Sequence, residues 1–136
     1  MPVVSFDHVA IPTRDPEALI AFYAALGFRV PDYAAWQAAG VPFFAIGFGR
    51  QKINVHAPDL WQSPDFALRG PTAKPGCGDL CFVWEGDAES LSTRLAEARA
   101  SIVAGPIALD GARGRGTSVY TRDPDGNLLE FIRYDE

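Results

Sequence analysis

The chain has 136 residues, enough for one compact domain with a real hydrophobic core. Its net charge of −5 argues against nucleic-acid binding, which usually needs a basic surface. The apolar runs are shorter than the roughly 18 residues of a membrane span, and no signal peptide is evident at the N-terminus. Two cysteines are too few for a disulfide scaffold, so we expect a cytoplasmic protein without nucleic-acid or membrane partners.

The first half of the chain is predicted to run strand, helix, strand, strand. Residues 3–12 form an apolar run rich in β-branched side chains, which is typical of a buried strand. Asp15-Pro16 is a helix start, because Asp caps free amides and Pro fits the first helical position, and Gly27 can end that helix. Residues 43–48 and 52–56 then form two further strands.

The second half repeats this order. A strand is predicted at 79–84, and a helix follows Asp87 with apolar residues at helical spacing. Two strands, 117–122 and 127–134, are then joined by the turn at 123–126, whose sequence Asp-Pro-Asp-Gly is a strong hairpin signal.

The two halves correspond residue by residue with a slowly drifting offset, as expected after an old duplication. The aligned pairs are His8 with Asp79 (79 minus 8, a shift of 71), Asp15 with Asp87 (72) and His56 with Glu130 (74). The sequence therefore predicts a single domain covering 1–136, with a first module at about 1–57, a linker at about 58–75 and a second module at about 76–136. The linker carries four prolines without a period, and its Trp61 and Phe66 either cover a pocket or pack on the surface.

Four residues of metal-ligand type lie inside these strands: His8, His56, Asp79 and Glu130. A polar side chain in a hydrophobic strand is costly to bury unless it is paired or bound to a metal. Because strand side chains alternate between faces, each of the four falls on the face away from its helix, and these faces line one interior if the halves curl into a cup. Two imidazoles and two carboxylates suit Zn, Ni, Mn, Fe or Co. We therefore predict one divalent metal site, with Asp79 as a fourth ligand or as the partner of a ligating histidine.

Further polar residues are candidates for contacting a substrate. The segment 111–116 reads as a flexible basic loop, in which Arg113 or Arg115 either clamps a substrate carboxylate or is simply solvated. Tyr120 either donates a hydrogen bond into the cup or packs structurally.

Three segments resemble the vicinal oxygen chelate superfamily, which includes glyoxalase I, fosfomycin-resistance thiol transferases, bleomycin-binding proteins and extradiol dioxygenases. They are Phe-Asp-His-Val-Ala-Ile at 6–11, the helical segment 21–28, and Arg-Asp-Pro-Asp-Gly-Asn-Leu-Leu-Glu-Phe at 122–131. Residues 47–56 and 78–82 are closer still to its glyoxalase-domain-containing, virulence-protein-like branch. The resemblance implies an α+β fold, in which two tandem βαβββ modules form a cup-shaped mixed β-sheet with helices outside. It also implies metal ligands from the first and last strands of each module and a homodimer, in which some members exchange modules.

For function, the resemblance implies a divalent-metal-dependent enzyme of the glyoxalase or dioxygenase type, whose small oxygenated substrate chelates the ion through adjacent oxygens. Glu130 is then the candidate proton-transfer base, and Ser118 and Tyr120 match substrate-contacting positions of the fosfomycin enzymes, with Arg115 as a further contact. Glyoxalase I differs, since it has a carboxylate in place of His56 and a His or Gln in place of Asp79. Two alternatives stay open: a bleomycin-resistance-like protein that sequesters a small molecule without catalysis, and a metal-binding scaffold without turnover.

Overall fold

The computed structural model describes residues 1–135, which form seven strands and four helices. In chain order these are β1 (His8–Pro12), α1 (Pro16–Ala25), α2 (Tyr33–Ala39), β2 (Phe43–Phe48), β3 (Gln51–His56), α3 (Pro58–Trp61), β4 (Asp79–Val83), α4 (Ala88–Glu97), β5 (Ala104–Gly111), β6 (Gly114–Arg122) and β7 (Leu128–Tyr134). None of the helices in this part of the chain is long and apolar enough to cross a membrane.

The strands form two sheets that repeat one arrangement. The first sheet has the order β1-β3-β2, and the second has the order β4-β7-β6-β5. In each, the first strand of the half runs parallel to the last, and the remaining neighbours are antiparallel. Among residues 1–135, the first sheet has no full counterpart of β5, and an isolated bridge between Arg29 and Gly47 takes its place. The predicted α+β class is confirmed.

Both long helices begin as the sequence predicts. The Asp15 carboxylate accepts a hydrogen bond from the Ala18 amide at 3.1 Å, and the Asp87 carboxylate accepts one from the Ser90 amide at 2.8 Å. Each of these contacts satisfies an amide that has no partner within its own helix. The helices are thereby fixed at equivalent points of the two halves.

One hydrophobic core joins the halves. It takes buried side chains from α1, α4 and one face of each sheet; among them are Leu19, Tyr23, Ile46, Ile53, Leu91, Leu95, Leu129 and Phe131. Against this core packs the partly buried Phe28 ring, which lies edge-on to Phe48 and Phe82 with centroid separations of 5.6 and 5.0 Å. Because the apolar face of each sheet is turned into this core, the opposite faces stay open, and these carry the polar strand residues.

Three expectations about the elements need correction. The first strand begins only at His8, since residues 3–7 are exposed and form no regular structure. Strand β5, α2 and α3 are additional to the predicted elements. The expected basic loop is mainly a hairpin, in which Arg115 of β6 lies opposite Asp110 of β5. A Cβ at Gly116 would come within 2.8 Å of the Arg133 carbonyl, so this glycine serves close strand approach rather than flexibility.

Candidate functional site

A carboxylate lies at the centre of the open face of the second sheet. Glu130 is on β7, and its cross-strand neighbours are Cys81 of β4 and Tyr120 of β6. The buried Ser118 hydroxyl donates a hydrogen bond to Glu130 Oε2 at 2.6 Å. Asp79 precedes Cys81 by two residues, which places it on the same face. The second sheet thus presents an oriented carboxylate among a thiol, a phenol and a second carboxylate.

The thiol and the phenol of this face stay protonated at neutral pH. Desolvation raises the pKa of Cys81 to about 12, and the charge of the Glu130 carboxylate contributes to this. Desolvation also raises the pKa of Tyr120, and the neighbouring Glu130 raises it further. A thiol and a phenol in this state are hydrogen-bond donors rather than nucleophiles or bases. Proton acceptance on this face therefore falls to the carboxylates.

The open face of the first sheet carries His8, the first residue of β1. Its Nδ1 lies 2.6 Å from Asp7 Oδ1, and this contact lowers the pKa of Asp7. An imidazole bonded through one ring nitrogen to a carboxylate is held in orientation with its other nitrogen, Nε2, left for another contact. Metal-ligating histidines commonly have such a carboxylate partner.

His56 is on the same sheet face but far from His8. In the register of β1 and β3, His8 lies opposite Lys52, whereas His56 lies opposite Pro12. Four residues along a parallel strand correspond to about 13 Å. The His56 ring packs edge-on against Phe66 at 5.1 Å, and its pKa is lowered by burial and by the charge of Arg69. The two histidines therefore do not meet around a common point.

The four predicted ligands do not converge within one chain. Among residues 1–135, no group of three or more His, Cys, Asp and Glu side chains is arranged so that it could hold a metal ion. Asp79 and Glu130 share the second sheet, while His8 and His56 share the first. Of the predicted substrate contacts, Ser118 and Tyr120 surround Glu130, but Arg115 is paired with Asp110 on the surface at 3.2 Å.

Sequence reasoning assigns no functional role to Asp7 or to Cys81 and treats Cys81 as a small apolar packing residue. Cys81 has a signal in the sequence, since it follows Asp79 by two residues and so shares its strand face. Asp7 has no such signal in the sequence, because it directly precedes His8 and adjacent strand residues point to opposite faces. It reaches the His8 ring only because regular pairing of β1 begins after it.

The phenylalanines at 28, 48, 82 and 131, together with Trp84, line a cavity of about 490 Å³ between the two halves. Its other lining groups include Cys81, Gln51 and Arg113. The Arg113 guanidinium lies 5.6 Å from the centre of the Tyr134 ring, a distance typical of a cation–π contact. The cavity is thus lined mainly by apolar side chains, with a few polar groups among them.

Comparison with known proteins assigns this architecture to a family. The chain is 34% identical over 134 residues to a glyoxalase domain-containing protein, RDO1, of Mycosarcoma maydis, covering 98% of this chain and 70% of that protein. It is 34% identical over 129 residues to virulence protein STM3117 of Salmonella typhimurium, covering 94% of this chain and 83% of that protein.

Solved structures agree. The crystal structure of virulence protein STM3117 superposes with a TM-score of 0.82 at 33% identity, covering 99% of this chain and 100% of the other. That of lactoylglutathione lyase from Agrobacterium tumefaciens has the same fold, with a TM-score of 0.69 at 23% identity over 98% of this chain and 96% of the other. The family model described as the Glyoxalase/Bleomycin resistance protein/Dioxygenase superfamily matches residues 5–131. The chain belongs to the glyoxalase/bleomycin resistance protein/dioxygenase superfamily.

Proposed function

We propose that the protein is a divalent-metal-dependent enzyme of the glyoxalase or dioxygenase type, whose site forms between the open sheet faces of two copies of the chain. The observation that carries this proposal is the division of the ligand-type residues: His8 with Asp7 on one sheet, and Asp79 with Glu130 on the other. Each set is incomplete within its own chain. Facing sheets from two copies bring the sets together.

Exposed strand edges support the pairing of two copies. β1 and β4 each form an edge of their sheet, and Val9 and Val83 on them are exposed. Before β1, the apolar side chains of Val3, Val4 and Phe6 are 75, 85 and 76% exposed. Exposed edges and contiguous apolar side chains are surfaces that proteins normally cover. Superfamily members often form dimers, and we propose that this chain does so through β1 and β4.

The donor chemistry fits a divalent ion once two copies are considered. One imidazole and two carboxylates, from His8, Asp79 and Glu130, are suitable ligands for Zn, Ni, Mn, Fe or Co. We leave His56 out of this ligand set, because its position along β3 separates it from His8. A bound ion of this kind polarises substrate oxygens as a Lewis acid.

The other groups then have separate roles in handling a small oxygenated substrate. Glu130 accepts a proton from the carbon or hydroxyl next to the substrate oxygens, since it is the carboxylate already oriented by a hydroxyl donor, Ser118. Tyr120 stays protonated and donates a hydrogen bond to a substrate oxygen. Cys81, also protonated, forms part of the wall.

A mixed-dimer experiment tests the proposal. His8→Ala and Glu130→Gln are prepared separately without a metal-binding tag, loaded with Zn, Ni, Mn, Fe or Co, and analysed for bound metal by mass spectrometry. Wild type is expected to hold two ions per dimer and each variant fewer than about 0.2. A heterodimer of the two variants is expected to regain one ion, because one of its two sites then has all its ligands.

His56→Gln is the matched control and is expected to keep both ions. Wild type that binds none of these metals, or a His8→Ala variant that retains two ions, would contradict the proposed site. A heterodimer without metal would show that the ligands do not come from two copies.

A second candidate function is the sequestration of an apolar small molecule without metal. The aromatic cavity between the halves favours it, since ligand pockets are mainly apolar with a few polar groups. Binding of an aromatic probe that is unchanged by chelator and is lost in Phe48→Ala would support this function over the enzymatic one.

A further inference from the structure

A second cavity, of about 550 Å³, lies on the open face of the first sheet. Its floor contains the small residues Ala45 and Gly47 of β2, which leave room where larger side chains would fill the face. Three cationic side chains contribute to its lining: Arg29, Arg50 and Lys52. This cavity adjoins the aromatic cavity between the halves. The two have Gly49 and Gln51 in common, and their other lining residues differ.

The Arg29 guanidinium is held against this floor. The backbones of Arg29 and Gly47 exchange two hydrogen bonds, of 3.0 and 2.8 Å, and Arg29 Nη2 donates to the Gly49 carbonyl at 3.0 Å. A Cβ at Gly47 would lie only 3.0–3.3 Å from three atoms of the guanidinium. The glycine therefore provides the space in which the arginine lies, and the cation has a defined position before any ligand arrives.

Lys52 lies between this arginine and the candidate metal ligand of the same sheet. In the strand register, Lys52 is opposite Gly47 on β2 and opposite His8 on β1. Paired residues of neighbouring strands point to the same face, so Lys52 lies on the same open face as His8 and as Gly47, against which the Arg29 guanidinium packs. The cationic groups thus adjoin the proposed reaction site.

The three positive charges in this cavity are only partly balanced by the protein. The chain has a net charge of −5, yet the acidic residue that lines the cavity is Asp7, whose carboxylate contacts His8 at 2.6 Å. Within the described part of the chain, the side-chain ion pairs are His8 with Asp7 and Arg115 with Asp110. Arg29, Arg50 and Lys52 therefore form no close ion pair among residues 1–135, although Lys52 interacts electrostatically with Asp7.

We propose that this cavity binds the phosphoryl group of a small-molecule substrate. A guanidinium donates in pairs to phosphate oxygens, and a lysine ammonium adds a compact point charge. A phosphoryl group with a charge near −2 at neutral pH matches an excess of cations better than a singly charged carboxylate does. We assign this phosphoryl group to the substrate of the metal site proposed above, an assignment that rests on that proposed function.

Phosphate binding is measured on metal-free protein in the presence of chelator, so that the result does not depend on the metal. Inorganic phosphate is titrated calorimetrically into wild type, Lys52→Gln and Arg50→Gln, with Lys74→Gln as a matched exposed lysine. We expect saturable binding to wild type, a dissociation constant raised at least tenfold by Lys52→Gln and severalfold by Arg50→Gln, and no change in the control. Acetate, a singly charged carboxylate, is expected to bind at least fivefold more weakly than phosphate.

Absence of saturable binding to wild type, or equal binding by Lys52→Gln and Lys74→Gln, would overturn the site. Acetate binding as tight as that of phosphate would overturn the phosphoryl assignment. Sedimentation of the same variants tests a different role: if Lys52→Gln dissociates the dimer while phosphate affinity is unchanged, the cations serve subunit contact. Metal loss in the mixed-dimer experiment leaves all these outcomes unaffected, so the two proposals fail separately.

Discussion

Two polar regions of this molecule lie a few residues apart in sequence and differ in almost every physical respect. One surrounds Asp123 in the turn between β6 and β7, and the other surrounds Glu130 on β7. Both contain carboxylates, a tyrosine and a hydroxyl side chain. The first is buried between the halves of the chain, and the second lies on an open sheet face.

The buried region is fully satisfied. Asp123 Oδ2 accepts hydrogen bonds from the Tyr23 hydroxyl at 2.8 Å and from Asn127 Nδ2 at 2.7 Å, and Oδ1 accepts from the amides of Asp125 and Asn127 at 2.9 and 3.0 Å. Asp125 in turn accepts from the Thr13 hydroxyl at 2.6 Å. Among the described residues no buried side-chain polar atom lacks a partner. This network ties the second half of the chain to the first.

The open region around Glu130 is oriented but exposed to incoming groups. Residue type alone therefore does not tell whether a carboxylate in this motif stabilises the fold or binds a ligand. Asp123 has its hydrogen-bonding capacity used by protein, and it holds the fold. Glu130 has one oxygen fixed by Ser118 and lies on a surface that faces outwards, so it is available to a ligand.

The strongest way to test this contrast is to remove the centre of the buried network. Asp123→Ala is expected to lower the free energy of unfolding by about 3–5 kcal/mol, because it leaves several buried donors without partners. Urea denaturation followed by circular dichroism measures the change. Asp110→Ala, which breaks an exposed ion pair with Arg115, is the control and is expected to cost less than about 1 kcal/mol.

Asp123→Asn separates the hydrogen bonds from the charge. Burial raises the pKa of Asp123, so the folded state binds a proton more readily than the unfolded state, and the stability linked to this group falls as the pH rises through the folded-state pKa. The asparagine variant lacks this pH dependence and keeps one acceptor oxygen. A loss equal to that of Asp110→Ala in both Asp123 variants would show that the network does not hold the halves together.

Much of this fold is predictable from the sequence, because its signals are local. The helix starts at Asp15 and Asp87, the turn at 123–126 and the alternation of apolar residues in β7 all act over a few residues. The sequence does not predict β5, because its side chains are mostly exposed and its apolar pattern is weak. Cross-strand pairing with β6 stabilises it, and such pairing depends on residues distant from the segment itself.

An experiment on Cys81 tests the electrostatics of the open region. Because Glu130 raises the pKa of this thiol, Glu130→Gln is expected to lower that pKa and to speed alkylation by iodoacetamide roughly three- to tenfold at pH 8. Peptide mass spectrometry follows the reaction, with the exposed Cys77 as an internal reference. Equal acceleration at both cysteines would indicate general loosening of the fold, and no acceleration would remove Glu130 as a cause.

The candidate site was less predictable than the fold, since it depends on register. Strand alternation predicts the sheet face on which His8 and His56 lie, but only the alignment of β1 with β3 shows that the two residues are separated by four positions along the strands. No pattern in the sequence predicts the position of Arg29. It lies beside β2 because of an isolated β-bridge to Gly47, which forms only in the folded chain. Sequence periodicity predicts the sheet face on which a side chain lies. The distance between side chains on two strands depends on the strand register, which is known only from the folded structure.

The smallest effect concerns His56, which lies on an open sheet face yet is half-buried by the linker. Burial and the charge of Arg69 lower the pKa of His56, so the unfolded state binds the proton more readily than the folded state. The stability linked to this group is therefore present at neutral pH and is lost as the pH falls through the folded-state pKa. Phe66→Ala removes the ring that packs against it and is expected to raise the pKa of His56 in an NMR titration, with a pH-dependent change in unfolding free energy below about 0.5 kcal/mol. Leu68→Ala, at a side chain that is 87% exposed, is the control. An unchanged titration in Phe66→Ala would show that the linker does not shield His56, and the whole first-sheet face would then be open to ligand from His8 to His56.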